Sequence, residues 1–210
     1  MILGKTGAYF ERAKRSYGQA EHLIEGLDEA FQSAAFRDDP EQRYDTRVTL
    51  YQFDVILQAI LLAMALSDGR FHRQERKLLL KLTKYGDLMD YLHKRDGARF
   101  AALTWDSLTE ATPEQQRELT QTILPEELDR VCSSFVRPLA MADSAVVSID
   151  FLQRLETILG EIADCMSHID GTVRAEEAAA FRTSLEHLLS CRWQRIKDEI
   201  SAEMAEEAPV

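Results

Sequence analysis

The stretch DVILQAILLAMALSDGRFHRQE, residues 54–75, returns 102 residues later in altered form as ETILGEIADCMSHIDGTVRAEE, residues 156–177. Seven of the 22 aligned positions are identical. The identical apolar residues recur mainly at steps of three and four, which places them on one face of an α-helix. The shared Asp-Gly pair and the shared Glu seven residues after the Asp mark a turn and the start of a second helix. The repeat therefore predicts two superposable helix-turn-helix units in one domain, packed about an approximate two-fold axis.

A long amphipathic helix is predicted before the first unit. Its apolar residues alternate at steps of three and four for more than three heptads, and the Asp38-Asp39-Pro40 sequence ends the pattern. The apolar stripe consists of Phe10, Ala13, Tyr17, Ala20, Ile24, Leu27, Phe31 and Ala34. A stripe of that length left in water would form a large apolar patch. We therefore expect this helix to pack on its own domain or on a second copy of the chain.

The rest of the chain also has the periodicity and the capping signals of helices. Residues 46–67 are apolar almost all round and predict a central core helix, and Thr112-Pro113-Glu114-Gln115 predicts a capped helix start. Further helices are predicted over residues 74–85, 87–103 and 149–168, the last capped by Ser148, and from about residue 176 to the acidic C-terminus. Another helix is predicted to start at Pro125 and to kink or end at Pro138. No window alternates with a period of two. The sequence thus predicts an all-α protein.

The predicted domain organisation is a single all-α domain with long N- and C-terminal helices. Its parts are an N-terminal helix in residues 1–46, a first repeat in 47–93, connecting helices in 94–147, and a second repeat with the C-terminal helix in 148–206.

Composition and charge exclude several classes of protein. The chain has 25 basic and 36 acidic residues, a net charge of −11, which disfavours binding to nucleic acid. The longest apolar run, residues 55–66, is shorter than the ~20 residues that a membrane-spanning helix needs. The N-terminus lacks the pattern of a secretory signal, and three cysteines without CxxC spacing suit a reducing compartment. These features predict a cytoplasmic protein.

The two repeated segments resemble the tellurite-resistance protein B family, whose TerB-like fold has two helical halves. In that family each half carries an Ala/Ser-rich helix that ends in Asp-Gly, followed by an apolar residue and then a Glu. The matching segments here are LLAMALSDGRFHRQERKLLL, residues 61–80, and IADCMSHIDGTVRAEEAAAF, residues 162–181. The resemblance implies a TerB-like fold, a role in tellurite resistance or related stress, protein partners, membrane-associated complexes and divalent-metal binding through acidic residues. Related domains occur on membrane-tethered co-chaperones.

The acidic turns are the candidate metal site, with Asp68, Glu75, Asp170 and Glu177 as ligands. Carboxylate oxygens suit a hard cation such as calcium. The alternative is structural, because an Asp before Gly commonly accepts turn N–H groups and a Glu in a first helical turn caps amides. We favour the structural interpretation, since basic or neutral residues replace acidic residues that are common around these turns in the family. The replacing residues are Arg70, His72, Arg73, Arg174 and Ala175.

Two further polar patterns lie in the second repeat. Glu161, Asp164 and His168 share one helix face. We interpret this face as solvated; the alternative is a surface that binds a cation or a partner. Cys165 with His168 and His187 with Cys191 have zinc-like spacing, but in a hairpin turning at residue 170 the two pairs would lie some ~15 Å apart along the axis. Zinc is therefore not expected.

No catalytic motif stands out in the sequence, and we predict a non-enzymatic interaction protein with no cofactor. Two alternatives stay open. One is a metal-dependent enzyme or metal sensor that uses the acidic turns. The other is a membrane-surface adaptor or co-chaperone module, for which the four Lys or Arg residues in positions 1–18 would supply peripheral attraction. A homodimer is also open.

Overall fold

The computed structural model of the chain describes residues 5–31, 44–67, 71–145 and 150–169, together with positions 195, 198, 199 and 202. Within these residues the protein is all-α, as predicted, and no strand occurs. The helices are α1 (Lys5–Phe31), α2 (Thr46–Ala65), α3 (Arg73–Leu82), α4 (Leu88–Arg95), α5 (Gly97–Phe100), α6 (Pro113–Glu118), α7 (Leu124–Ala145) and α8 (Phe151–His168), with a 3-10 turn at Ser107–Thr109 and a π turn at Leu119–Ile123.

Helix α2 lies at the centre of the fold. It contacts α1, α3, α4, α7 and α8, and its residues from Phe53 to Leu62 are all buried. By length and composition this helix, alone among the described helices, could cross a membrane, but 78% of its most apolar 18-residue window is buried inside the protein. A buried core helix meets the same criterion, so α2 is weak evidence for a membrane-spanning segment.

Helix α1 packs along the bundle, which confirms the prediction for the N-terminal segment. Tyr17, Ile24 and Leu27 are fully buried, Phe31 is buried and Phe10 is partly buried against the same core. The main partner of α1 is α8, and α1 also contacts α2, α3 and α7. The predicted apolar stripe thus packs within one chain from Phe10 to Phe31; its last residue, Ala34, lies outside the described residues.

The two predicted helices of the first repeat unit are present as α2 and α3, which are separated by seven residues; residues 68–70, which include the Asp-Gly pair, lie outside the described residues. The second unit is described only through α8, which contacts α2. Residues 170–177 lie outside the described residues. The predicted two-fold relation between the units stays a prediction.

Several predicted helix boundaries differ from the structure. The helix predicted over 87–103 is two helices, because Asp96 ends α4 and its side chain caps the N-terminus of α5. Helix α3 ends at Leu82, since Thr83 is already extended. The cap of α8 is Asp150, whose carboxylate accepts the Gln153 N–H at 2.8 Å; the predicted Ser148 lies outside the described residues.

The predicted capping box at Thr112 and Gln115 is confirmed. The predicted start at Pro125 lies one residue after the first residue of α7, Leu124, but α7 is not a separate helix, because α6, the π turn and α7 form one continuous helical run. This run does not end at Pro138. In the π turn the Leu124 N–H donates to the Leu119 carbonyl, five residues back. This wider turn lets the run pass Pro125, whose nitrogen has no hydrogen to donate.

Candidate functional site

The carboxyl of Asp54, in the middle of α2, is a fully buried ionisable group in the core. Its side chain is 0% exposed, yet it lies on an otherwise apolar helix. Its Oδ2 accepts three consecutive backbone N–H groups, from Lys84 at 2.9 Å, Tyr85 at 2.6 Å and Gly86 at 3.0 Å. Its Oδ1 accepts the hydroxyl of Tyr17 on α1 at 2.7 Å. One carboxyl therefore joins α1, α2 and the loop after α3.

Burial and hydrogen bonding shift the pKa of Asp54 in opposite directions. Burial raises the pKa of Asp54 above its ordinary value, and the hydrogen bonds from Tyr85, Tyr17, Gly86 and Lys84 offset part of that rise. Burial and the neighbouring carboxyl raise the pKa of Tyr17 well above its usual range. The Tyr17 hydroxyl is thus a stable donor at any physiological pH.

Gln58, one helical turn after Asp54, holds the same loop. Its amide nitrogen donates to the Thr83 hydroxyl at 2.5 Å and to the Gly86 carbonyl at 3.3 Å. Its amide oxygen accepts the N–H of Leu88, the first residue of α4, at 2.6 Å. Asp54 and Gln58 together satisfy backbone groups of a loop that has no secondary structure of its own, which is the requirement for burying such a loop. We call Asp54, Gln58 and the loop 83–87 the Asp54 anchor.

The outer side of this loop borders an open cleft of about 330 Å³. Its walls include Tyr51, Leu80 and Tyr85, and both Leu80 and Tyr85 are large side chains exposed to solvent. Two polar residues that line the cleft already have partners within the protein. Asp87 accepts the indole N–H of Trp105 at 2.9 Å, and Asp90 pairs with Lys94 at 2.6 Å. The cleft thus offers apolar walls beside satisfied polar groups.

Glu127 on α7 is a second buried carboxylate that the fold itself engages. It accepts the hydroxyl of Tyr91 at 3.2 Å and lies 3.7 Å from the Arg95 Nε and 3.9 Å from the Arg130 Nε. Burial and this carboxylate raise the pKa of Tyr91 to about 12. The group ties α4 to α7.

Of the four candidate metal ligands, the structure describes only Glu75. Its carboxylate accepts the backbone N–H of His72 at 2.8 Å, in a capping box at the start of α3. This is the structural role that we favoured for it. Asp68, Asp170 and Glu177 lie outside the described residues, so the metal site stays a prediction. Among the residues that are described, no group of three or more His, Cys, Asp or Glu side chains is arranged to hold a metal ion.

The polar stripe of α8 is only partly solvated, because α1 packs against it. Asp164 pairs with Arg12 of α1 at 2.9 Å, and Glu161 accepts the hydroxyl of buried Ser16 at 2.7 Å. The ring of His168 stacks on Tyr9 with centroids 5.1 Å apart. The stripe is half-buried because α1 covers it.

The zinc-like pattern is described only at its first pair. The Cys165 thiol is buried, which raises its pKa, and the His168 Nδ1 lies 2.7 Å from the Asp164 carbonyl. His187 and Cys191 lie outside the described residues.

Sequence reasoning noticed Asp54 and Gln58 only as members of the repeat and of an apolar run. The signal that could have found their role is their spacing: two polar residues four positions apart share one face of an otherwise apolar helix. A polar pair at the centre of a core helix must find partners within the protein.

Comparison of the chain with known protein families, with curated proteins and with solved structures gives no match.

Proposed function

We propose that this chain is a non-enzymatic, TerB-like stress-response module of the cytoplasm that acts by binding other proteins. The observation that carries the proposal is the structural use of three carboxyls, of which two are buried and one is partly buried. Asp54 accepts four hydrogen bonds from its own fold, Glu127 is engaged by Tyr91 and two arginines, and Glu75 caps α3. These three carboxyls, each of which could serve as acid, base or ligand, thus hold helices of the fold together.

The repeat supports the TerB-like part of the proposal. The first predicted unit contains two helices separated by seven residues, and the Glu that the family motif requires lies in the first turn of the second helix. The proposal gives Glu75 a structural role as the capping residue of α3.

The test uses the full chain with an affinity tag, expressed in its own cells with and without potassium tellurite. Covalent crosslinking and purification should enrich a reproducible set of proteins that also capture this chain when they are tagged in turn. Deleting the gene should lower tellurite tolerance. If the tagged chain enriches nothing over a tagged helical protein of similar size and charge, and deletion leaves tolerance unchanged, the proposal is wrong.

A further inference from the structure

Helix α3 carries a concentration of positive charge in an acidic protein. Residues 71–100 contain eight Lys or Arg and four Asp or Glu, a net charge of +4. The whole chain has a net charge of −11, so the other residues together carry −15. The protein is therefore strongly polarised in charge, and the positive part lies around α3 and α4.

The outer face of α3 presents this charge as a stripe. Arg73, Lys77 and Lys81 are four residues apart and exposed, so they line one side of the helix over about 12 Å. The opposite side, with Leu78, Leu79 and Leu82, is buried in the core. We call Arg73, Lys77 and Lys81 the α3 stripe.

The α3 stripe differs from its neighbours in lacking a carboxylate partner. Arg76 pairs with Asp106, and Lys84 pairs with Glu21 at 2.6 Å. In the part of the chain that the structure describes, the head groups of the stripe residues take part in no ion pair within 4 Å. Three like charges without a counter-charge repel one another modestly in water, and a negatively charged partner would relieve that repulsion.

The cleft adjoins the C-terminal end of the α3 stripe. Leu80, whose side chain is 38% exposed, lies beside Lys81 in sequence and forms a wall of the cleft with Tyr51 and Tyr85. A volume of about 330 Å³ is large enough for one or two apolar side chains. Basic and apolar groups are thus adjacent on one surface, and the two carboxylates that line the cleft, Asp87 and Asp90, already have Trp105 and Lys94 as partners.

From this arrangement we propose that the α3 stripe and its cleft bind a short acidic segment of a partner protein, with an apolar side chain of the segment in the cleft. Carboxylates spaced along the segment face Arg73, Lys77 and Lys81. This proposal rests on the proposed function and names the surface and the chemistry of the partner.

Charge favours a short segment over an extended polyanion. A nucleic-acid duplex or an anionic bilayer covers much more than a 12 Å stripe and would also meet parts of the chain outside residues 71–100, which together carry a net charge of −15. Repulsion from that surface acts over about 8 Å at physiological ionic strength. A peptide segment of a few residues touches only the stripe and the cleft.

The test is selection from a random dodecapeptide library displayed on phage, with the full chain as bait. Selected peptides should be net negative and contain a large apolar residue. Synthetic copies labelled with a fluorophore should bind wild type and lose roughly tenfold or more in affinity to R73E/K77E/K81E. The triple alanine variant R73A/K77A/K81A should show a smaller loss, and raising the salt concentration should weaken wild-type binding.

The matched control is R15E/R117E/R154E, which makes the same change in net charge at three exposed arginines on other helices. It should bind the peptides within about twofold of wild type, because salt screens the interaction of the bound peptide with charges on other parts of the protein surface. Thermal melts of all variants verify that each is folded.

Four results would overturn the inference. They are a library that yields no binder, peptides without acidic enrichment, equal losses in the stripe variant and the control, and stripe-dependent binding of phosphatidylserine vesicles or duplex DNA in place of peptides. The failure of the broader proposal has a different signature. If cellular partners are captured equally by wild type and by the stripe variant, interaction is retained but the surface is wrong, whereas capture by neither removes the proposed function.

Discussion

Asp54 on α2 and Glu156 on α8 occupy aligned positions of the repeat, but their surroundings are opposite. Asp54 is 0% exposed and accepts four hydrogen bonds, whereas Glu156 is exposed. One turn further, Gln58 holds a loop, and the aligned Gly160 has no side chain and nothing within 4 Å of where a Cβ would lie. The role of a polar residue in this fold is decided by what covers it.

The difference follows from the positions of the two helices. Five helices surround α2, so any polar group on it must find its partners in the protein. Helix α8 contacts α1, α2 and α7 and keeps an outer face. Its polar contacts are therefore made between side chains at a boundary, as in the pair of Arg12 and Asp164, where both are nearly half exposed. Substitutions on α2 and its loop should accordingly cost more stability than substitutions at the boundary of α8.

Removing the carboxyl of Asp54 should be the most damaging change. In Asp54→Ala the loop N–H groups of Lys84, Tyr85 and Gly86 lose their acceptor, and we expect the free energy of unfolding to fall by about 3 to 5 kcal/mol. Urea denaturation measures the loss. In Asp54→Asn the amide oxygen can still accept the loop N–H groups, and we expect a loss of about 1 kcal/mol or less. If Asn is as damaging as Ala, the negative charge and not the hydrogen-bond acceptor is what the site requires.

The pH dependence of Asp54 gives a second test. Burial raises its pKa, so the folded protein binds this proton more tightly than the unfolded chain does. The stabilisation from this linkage is complete below the pKa of the unfolded state, about 3.9, and is lost as pH rises through the folded pKa. The stability of wild type minus that of Asp54→Asn should therefore decrease as pH rises through that interval. Urea midpoints of both proteins at closely spaced pH values measure it; a stability difference that grows with pH would mean that the pKa of Asp54 is lowered by folding and not raised.

Gly86 tests how closely the loop approaches α2. A Cβ at this position would lie 2.6 Å from the Tyr51 carbonyl oxygen and 3.1 Å from the Asp54 Cβ. We expect Gly86→Ala to lower stability by about 1 to 3 kcal/mol, because a backbone carbonyl cannot move away easily. Thermal denaturation measures the loss. The control is Gly160→Ala on α8, which meets no atom within 4 Å and should raise stability by about 0.5 to 1 kcal/mol. Equal effects at both positions would show that the loop is not held tightly against α2.

Glu75 separates a capping role from a metal-binding role. As a cap it accepts the His72 N–H, so Glu75→Ala should lower stability by about 1 kcal/mol and Glu75→Gln should have a smaller effect. Added calcium should leave the melting temperature of wild type unchanged, since only a ligand that binds the native state raises it. A rise with calcium that disappears in Glu75→Gln would favour the metal site of the acidic turns.

A feature of this structure can be predicted from the sequence when the residues that interact lie close together along the chain. Local patterns are enough for the all-α class, for the buried stripe of α1 and for the capping box at Thr112, because each depends on neighbours within a few residues. The contact of Asp54 with residues 84–86 spans about 30 positions, and that of Asp164 with Arg12 spans 152. Nothing in local periodicity encodes such pairings, so the sequence pattern of α8 does not show that α1 covers part of its polar face. The continuous run past Pro125 also escapes sequence reasoning, because a π turn leaves no sequence signal comparable to a cap.

The smallest effect is expected at the ion pair of Arg12 and Asp164, the boundary counterpart of the Asp54 anchor. Its atoms are 2.9 Å apart, but the two side chains remain 44% and 46% exposed, so water screens the attraction and either charge can be hydrated when the other is removed. A double-mutant cycle with Arg12→Ala and Asp164→Ala should give a coupling of about 0.5 kcal/mol, and 1 M NaCl should reduce it further. Chemical denaturation of the four proteins at low and high salt measures both. If a pair with the same separation lay inside the core, removing one partner would leave the other charge buried and unpaired, and the loss of stability would be much larger. A coupling above about 2 kcal/mol would therefore mean that the boundary between α1 and α8 is as dry as the core, and the contrast with Asp54 would fail.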